Sequence, residues 1–145
     1  MLGLLNISEA MSIALHTCAW LAEDTAQFHS ARHISDRLGF SAHHFAKVVQ
    51  QLSRAGILET ERGPAGGARL ARPPAEITLL EIYIAAGGNP AVKGCLLKHD
   101  ICKGDGCALG KLMAKENARL VKLLKTVTLE SIVRSLKRNR IGKAP

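Results

Sequence analysis

Ile57-Leu58-Glu59-Thr60-Glu61-Arg62-Gly63-Pro64-Ala65-Gly66-Gly67-Ala68-Arg69-Leu70-Ala71 holds two short strand-forming runs on either side of a Gly/Pro-rich segment. Residues 62–67 suit neither a helix nor a strand, so they read as the turn of a hairpin between strands over 57–61 and 68–71. Two short helices precede the hairpin. Residues 30–38 form the first, closed by Gly39. Ser41 caps the second, which runs to about Arg54 with Gly56 just past its end. Phe45, Val48, Val49 and Leu52 give the second helix a core stripe at helical spacing, and His43, His44, Lys47, Gln51 and Arg54 occupy its other side. Two helices joined by a glycine turn make a helix-turn-helix pattern, a weak signal by itself. A hairpin directly after it adds a wing. The fold class expected is mainly α with a small β-wing: a winged helix-turn-helix plus a long dimerisation helix.

The rest of the chain fits around that unit. Residues 6–22 read as a helix with Asn6 as cap and Glu9 three residues on. Met11, Leu15, Cys18 and Ala22 share its apolar face, and Glu9, Ser12, His16 and Glu23 a polar one. Pro73-Pro74 is a stiff break, and Thr78-Leu79-Leu80-Glu81 is a capping box opening a helix through Ala86. A long helix is expected over 108–127, with Leu109, Leu112, Met113, Leu120, Leu124 and Val127 on one side. Little of its own domain remains for that stripe, so a partner helix in a homodimer is the simplest cover. Thr128 caps a last helix on Leu129, Ile132, Val133 and Leu136, and residues 137–145 read as a frayed basic tail. The organisation expected is a DNA-binding region over 1–86, a cysteine loop over 87–107 and a dimerisation segment over 108–145, in one compact domain.

Charge placement names the partner class. The chain of 145 residues carries a net +8. Residues 30–72 hold seven bases against three acids, and residues 111–145 ten against two. Two basic blocks point to a polyanion, here a double-stranded DNA operator. Aromatic content of 3% argues against a base-stacking binder of single strands. In the DNA reading the second helix enters the major groove with Ser41, His43, His44 and Lys47, and Arg62 at the wing tip reaches the minor groove. The plainer reading of Arg62 is a solvated turn charge. No apolar run of membrane-spanning length and no signal-peptide pattern occur, so a cytoplasmic protein with reduced thiols is expected.

Three of the four cysteines, Cys95, Cys102 and Cys107, lie within thirteen residues, among Gly94, Gly104 and Gly106. An iron–sulfur cluster, of the 2Fe-2S or 4Fe-4S type, takes three thiolates from such a loop and a fourth ligand from elsewhere. A zinc site would need a fourth Cys or His, and His99 is crowded between cysteines. A cluster-free redox switch needs one attacking and one resolving thiol. Inert cysteines are the remaining option for the loop. A cysteine enzyme using Cys102 with His99, or carboxylates Asp100 and Asp105, lacks visible supporting groups, so no enzymatic role is expected. Cys18, on an apolar stripe, reads as a core residue.

The segment Glu61-Arg62-Gly63-Pro64-Ala65-Gly66-Gly67-Ala68-Arg69-Leu70-Ala71-Arg72-Pro73, followed by Glu76-Ile77-Thr78-Leu79, resembles the IscR/NsrR/CymR family of bacterial winged-helix regulators. Residues 13–22 are similar to that family's opening helix, and the cysteine trio and Val127-Thr128-Leu129 keep its order. The likeness spans roughly residues 6–138. It implies a homodimeric transcription factor whose long helices cross and whose cysteines often hold an iron–sulfur cluster; members without a cluster sense thiol oxidation or bind a partner enzyme. Three positions depart. The cysteines are separated by six and then four residues, where five and five is common. Ala46 stands where iron–sulfur-assembly regulators carry a specificity glutamate, and Gly110 where they offer a histidine ligand. Neither operator sequence nor fourth ligand therefore transfers from that branch. In several cluster-binding relatives the first helix of the partner subunit supplies the remaining ligand. The matching positions here are Ser12 and His16, with Glu9, seven residues before His16, on the same face. His16 as an ordinary polar surface residue is the bland alternative.

Overall fold

A computed structural model of the chain describes residues 7–91 and 107–141, with side chains described through residue 137. The elements in order are α1 (Glu9–Leu21), α2 (Ala31–Leu38), α3 (Ala42–Arg54), β1 (Leu58–Glu61), β2 (Gly67–Leu70), a 3-10 turn (Pro74–Glu76), α4 (Leu79–Ala85), α5 (Ala108–Thr126) and α6 (Leu129–Ile141).

Local chemistry sets most boundaries. Ser30 Oγ accepts from His33 N at 3.1 Å, and Ser41 Oγ from His44 N at 3.3 Å. Each such cap stabilises its helix by about 1 kcal/mol. Gly39 ends α2 at φ 73°, a left-handed conformation natural to glycine. At α4 the capping box is complete: Thr78 Oγ1 accepts from Glu81 N, and Glu81 Oε2 accepts from Thr78 N at 2.9 Å.

Two termini differ from expectation. Ser8, not Asn6, caps α1, with its side chain accepting from Met11 N at 3.2 Å; Asn6 lies outside the described residues. Glu9 therefore starts the helix instead of closing a box with Asn6. At the other end α6 continues to Ile141, so Lys137, Arg138 and Arg140, expected in a frayed tail, are helical, and Lys143 lies outside the described residues. No proline or glycine interrupts that run before Gly142.

The core forms where α1 meets the helix-turn-helix and α4. Ile13, Cys18 and Leu21 of α1 pack with Ile34, Phe45, Leu52, Ile57, Ile77, Ile82 and Leu129, all buried. α1 is buried more broadly than one stripe: Ile13, Ala14 and Thr17 are enclosed, while Leu15 and Ala22 are only half-buried. Burial of this kind, at about 25 cal/mol per Å² of apolar surface, is the main stabilising term.

The hairpin pairs Leu58 with Leu70, Glu59 with Arg69, Thr60 with Ala68 and Glu61 with Gly67. A third chain segment joins it. His29 N donates to Ala68 O at 3.0 Å, and Ala68 N donates to His29 O at 2.9 Å. Arg69 fastens this junction: its guanidinium lies 4.3 Å from the Phe28 ring centre, bonds Glu59, and donates to Ala26 O at 3.2 Å. The wing is thus anchored to the approach to α2.

The last helix is knit to the middle of the chain. Leu129 N donates to Ile77 O at 2.8 Å and Leu79 N to Val127 O at 3.0 Å, which lays Thr78 and Thr128 antiparallel.

Candidate functional site

The second helix of the helix-turn-helix, α3, divides into three faces. Phe45, Val48 and Leu52 point into the core. His43, Ala46, Lys47, Gln50 and Arg54 are all exposed and, at 3.6 residues per turn, share one outward face. His44 lies to the side of that face, where its Nδ1 sits 3.2 Å from Glu9 Oε2 of α1. Arg62 is exposed in the turn of the wing.

These placements sort the residues expected at a DNA interface. His43, Lys47 and Arg62 are exposed. Ser41 spends its hydroxyl on the helix cap. His44 is engaged with Glu9. Gln51, placed on the polar side from sequence, instead lines a small cavity toward α1 with Glu9 and Lys47. Gln50, absent from the residues singled out in the sequence, is exposed on the same face three residues after Lys47.

Of the cysteine trio, Cys107 is described, and Cys95 and Cys102 lie outside the described residues, as do His99, Asp100 and Asp105. Cys107 occupies the N-cap of α5, half-buried, with its Sγ accepting from Gly110 N at 3.3 Å. Gly110 is itself buried. Cys18 is wholly enclosed, and burial pushes its thiol up to about 12.

The two first-helix candidates have different surroundings. His16 is exposed, and its Nδ1 lies 2.7 Å from Ser12 O. A carbonyl only accepts, so Nδ1 is the donor in this contact. The ring also meets Phe40, at the α2–α3 turn, edge-on at 6.3 Å. Glu9 is paired with His44. Among the described residues, no three His, Cys, Asp or Glu side chains come together as a metal site.

The apolar residues of α5 share one side at helical spacing, as the sequence suggests, but that side is covered along only part of its length. Leu120, Val121 and Leu124, in the second half, line a cavity of about 550 Å³ with Met11, Leu15 and Leu79. Leu109, Leu112, Met113 and Leu123 are exposed. Lys111, Lys115, Lys122 and Lys125 take the opposite side. Asn117 Nδ2 donates to Pro90 O at 2.8 Å, holding the start of the cysteine segment against α5.

Comparison with known proteins agrees with this geometry. The HTH-type transcriptional regulator NsrR of Geobacillus kaustophilus (strain HTA426) is 33% identical over 88 residues, covering 61% of this chain and 57% of that protein. Among solved structures, CymR (YrzC), the global cysteine regulator of B. subtilis, superposes with a TM-score of 0.78 at 23% identity, covering 91% of this chain and 98% of that one. IscR of T. potens superposes with a TM-score of 0.77 at 20% identity, covering 97% and 93%. At those identities the likeness establishes a shared winged-helix fold. Residues 7–135 match the Rrf2 family, described as an iron-dependent transcriptional regulator. This chain, with its helix-turn-helix, anchored wing and long α5, belongs to the Rrf2 family of transcriptional regulators.

Proposed function

We propose that the protein is a homodimeric, cytoplasmic transcriptional regulator that binds an operator in double-stranded DNA and senses redox, nitric oxide or iron status through an iron–sulfur cluster. The observation that carries the DNA half is the exposed face His43–Ala46–Lys47–Arg54 beside the exposed wing residue Arg62. Such a face places base-reading and phosphate-neutralising groups together. The exposed apolar side of α5, with Leu109, Leu112, Met113 and Leu123, supports a dimer in which a partner's α5 covers it. No helix among the described residues is long and apolar enough to cross a membrane.

The cluster half rests on the donor set. Cys107 offers a half-buried sulfur at a helix start, and Cys95 and Cys102 precede it in the same glycine-rich run. His16, exposed on α1 with its Nδ1 engaged by Ser12 O, is the fourth ligand across the dimer; Glu9 is its backup on the same helical face. A bound cluster supplies a centre whose ligation changes on oxidation or nitrosylation. The chain's own part is to connect it to DNA: His16 touches Phe40 in the turn between α2 and α3, so a shift of His16 reaches the recognition helix.

The test is anaerobic purification with iron and sulfide analysis, visible absorption, and operator binding measured with and without the chromophore. Stoichiometric iron and sulfide with a holo–apo affinity difference supports the proposal. A colourless protein after anaerobic reconstitution overturns the cluster and assigns the loop to a thiol redox switch on the same fold.

A further inference from the structure

We infer that Gln50 is a base-reading residue, with its carboxamide on the edge of an adenine in the major groove. The inference rests on the DNA-binding reading above. Of the four α3 residues first expected to face DNA, two are committed elsewhere: Ser41 Oγ caps the helix, and His44 pairs with Glu9. The outward face left is His43, Ala46, Lys47, Gln50 and Arg54. Lys47 and Arg54 are cations suited to phosphates, and Ala46 has no polar group. Gln50 is the one amide on this face; it is exposed, and its side chain has no hydrogen-bond partner among the described residues. Ala46, one turn earlier, keeps the helix slender there, so α3 can sit deep enough for a side chain of glutamine's length to reach a base edge.

An amide offers one acceptor and one donor side by side. That pair matches adenine in the major groove, where N6–H donates and N7 accepts. The spacing adds a register. Gln50 follows His43 by two helical turns, about 10 Å along the axis. At about 3.4 Å per base pair, that places the adenine about three steps from the base met by His43.

The experiment selects operators from randomised DNA with the full-length protein, then repeats the selection with Gln50→Ala. The expected result is loss of an adenine preference at one position per half-site, with the other positions kept. On the selected operator, replacing that adenine by 7-deazaadenine removes the N7 acceptor. Wild type should lose about 5- to 150-fold in affinity, and Gln50→Ala nothing further. An unchanged base profile in Gln50→Ala, or an equal loss on every sequence, overturns the inference while leaving the DNA-binding reading intact. A wild-type protein that selects no sequence overturns both.

Discussion

Arg72 Nη2 lies 2.7 Å from Glu81 Oε1, joining the end of the wing to the first turn of α4. The same guanidinium donates to Gly56 O and to Glu76 O, each at 3.3 Å. One side chain thus gathers the exit of α3, the 3-10 turn and the capping box. Burial pushes the Glu81 carboxyl up, but the Thr78 N–H, the Arg72 guanidinium and the Thr78 hydroxyl outweigh it and hold it below the usual carboxylate range.

A depressed folded value means that Glu81 stabilises the protein above the ordinary glutamate range, ~4.3, and that this contribution is lost as pH falls through the lower folded value. Glu81→Gln keeps a side chain able to close the capping box while removing the charge. Urea titrations from pH 7 to pH 3 should therefore show wild type losing its advantage over Glu81→Gln as the pH drops. A constant difference across that range would show that the charge has no part in it.

Gly67 has φ 144°, and a Cβ there would stand 2.1 Å from His29 O. The obstacle is backbone, so no rotamer change relieves it. Gly67→Ala should cost about 1–3 kcal/mol and expose the Ala68 amide to hydrogen exchange, since its acceptor is His29 O. Unchanged protection at Ala68 would mean that the segment at His29 is not held to the wing by this contact.

Cys18 and the loop cysteines should separate cleanly under alkylation. With its thiol pushed up to about 12, Cys18 stays protonated and enclosed at pH 8, and native protein should be labelled elsewhere by iodoacetamide. Cys18→Ser should leave any chromophore intact and cost about 1–3 kcal/mol for a hydroxyl in the core. Cys95→Ser, Cys102→Ser and Cys107→Ser should each degrade the chromophore with the fold retained.

At the interface, Arg62→Ala should weaken specific binding by about 1–3 kcal/mol if its guanidinium meets a base edge. Lys47→Ala should weaken all sequences alike and lower the salt slope by about one. Competition titrations against operator and random DNA distinguish the two.

His16→Ala should shift the visible spectrum of the cluster and narrow the affinity gap between holo and apo protein. Spectrum and switching both untouched in His16→Ala and in Glu9→Ala would move the fourth ligand elsewhere, with His99 next to test.

Much of the winged unit is legible because its punctuation is local. Ser30, Gly39 and Ser41 bracket α2 and α3 by chemistry reaching only three or four residues, and Thr78 with Glu81 does the same for α4. The start of α1 is harder, since Asn6 and Ser8 are both competent caps. Glu9 fits a box with Asn6 on paper, yet its carboxylate goes to His44, on another helix. Which turns of α5 are covered depends on what lies beside each, and spacing does not encode that. Leu112 and Leu124 look alike in the sequence, and only Leu124 meets α1 and α4. The bridge from His29 to the wing involves too few residues to carry any period.

The antiparallel contact of Thr78 with Thr128 governs the order in which the protein can be completed. As the chain leaves the ribosome, Ile77 O has no native partner until Leu129 emerges. The reading head is therefore left unfinished through nearly the whole of synthesis. A truncation before Leu129 should consequently yield an aggregation-prone fragment instead of a small DNA-binding module.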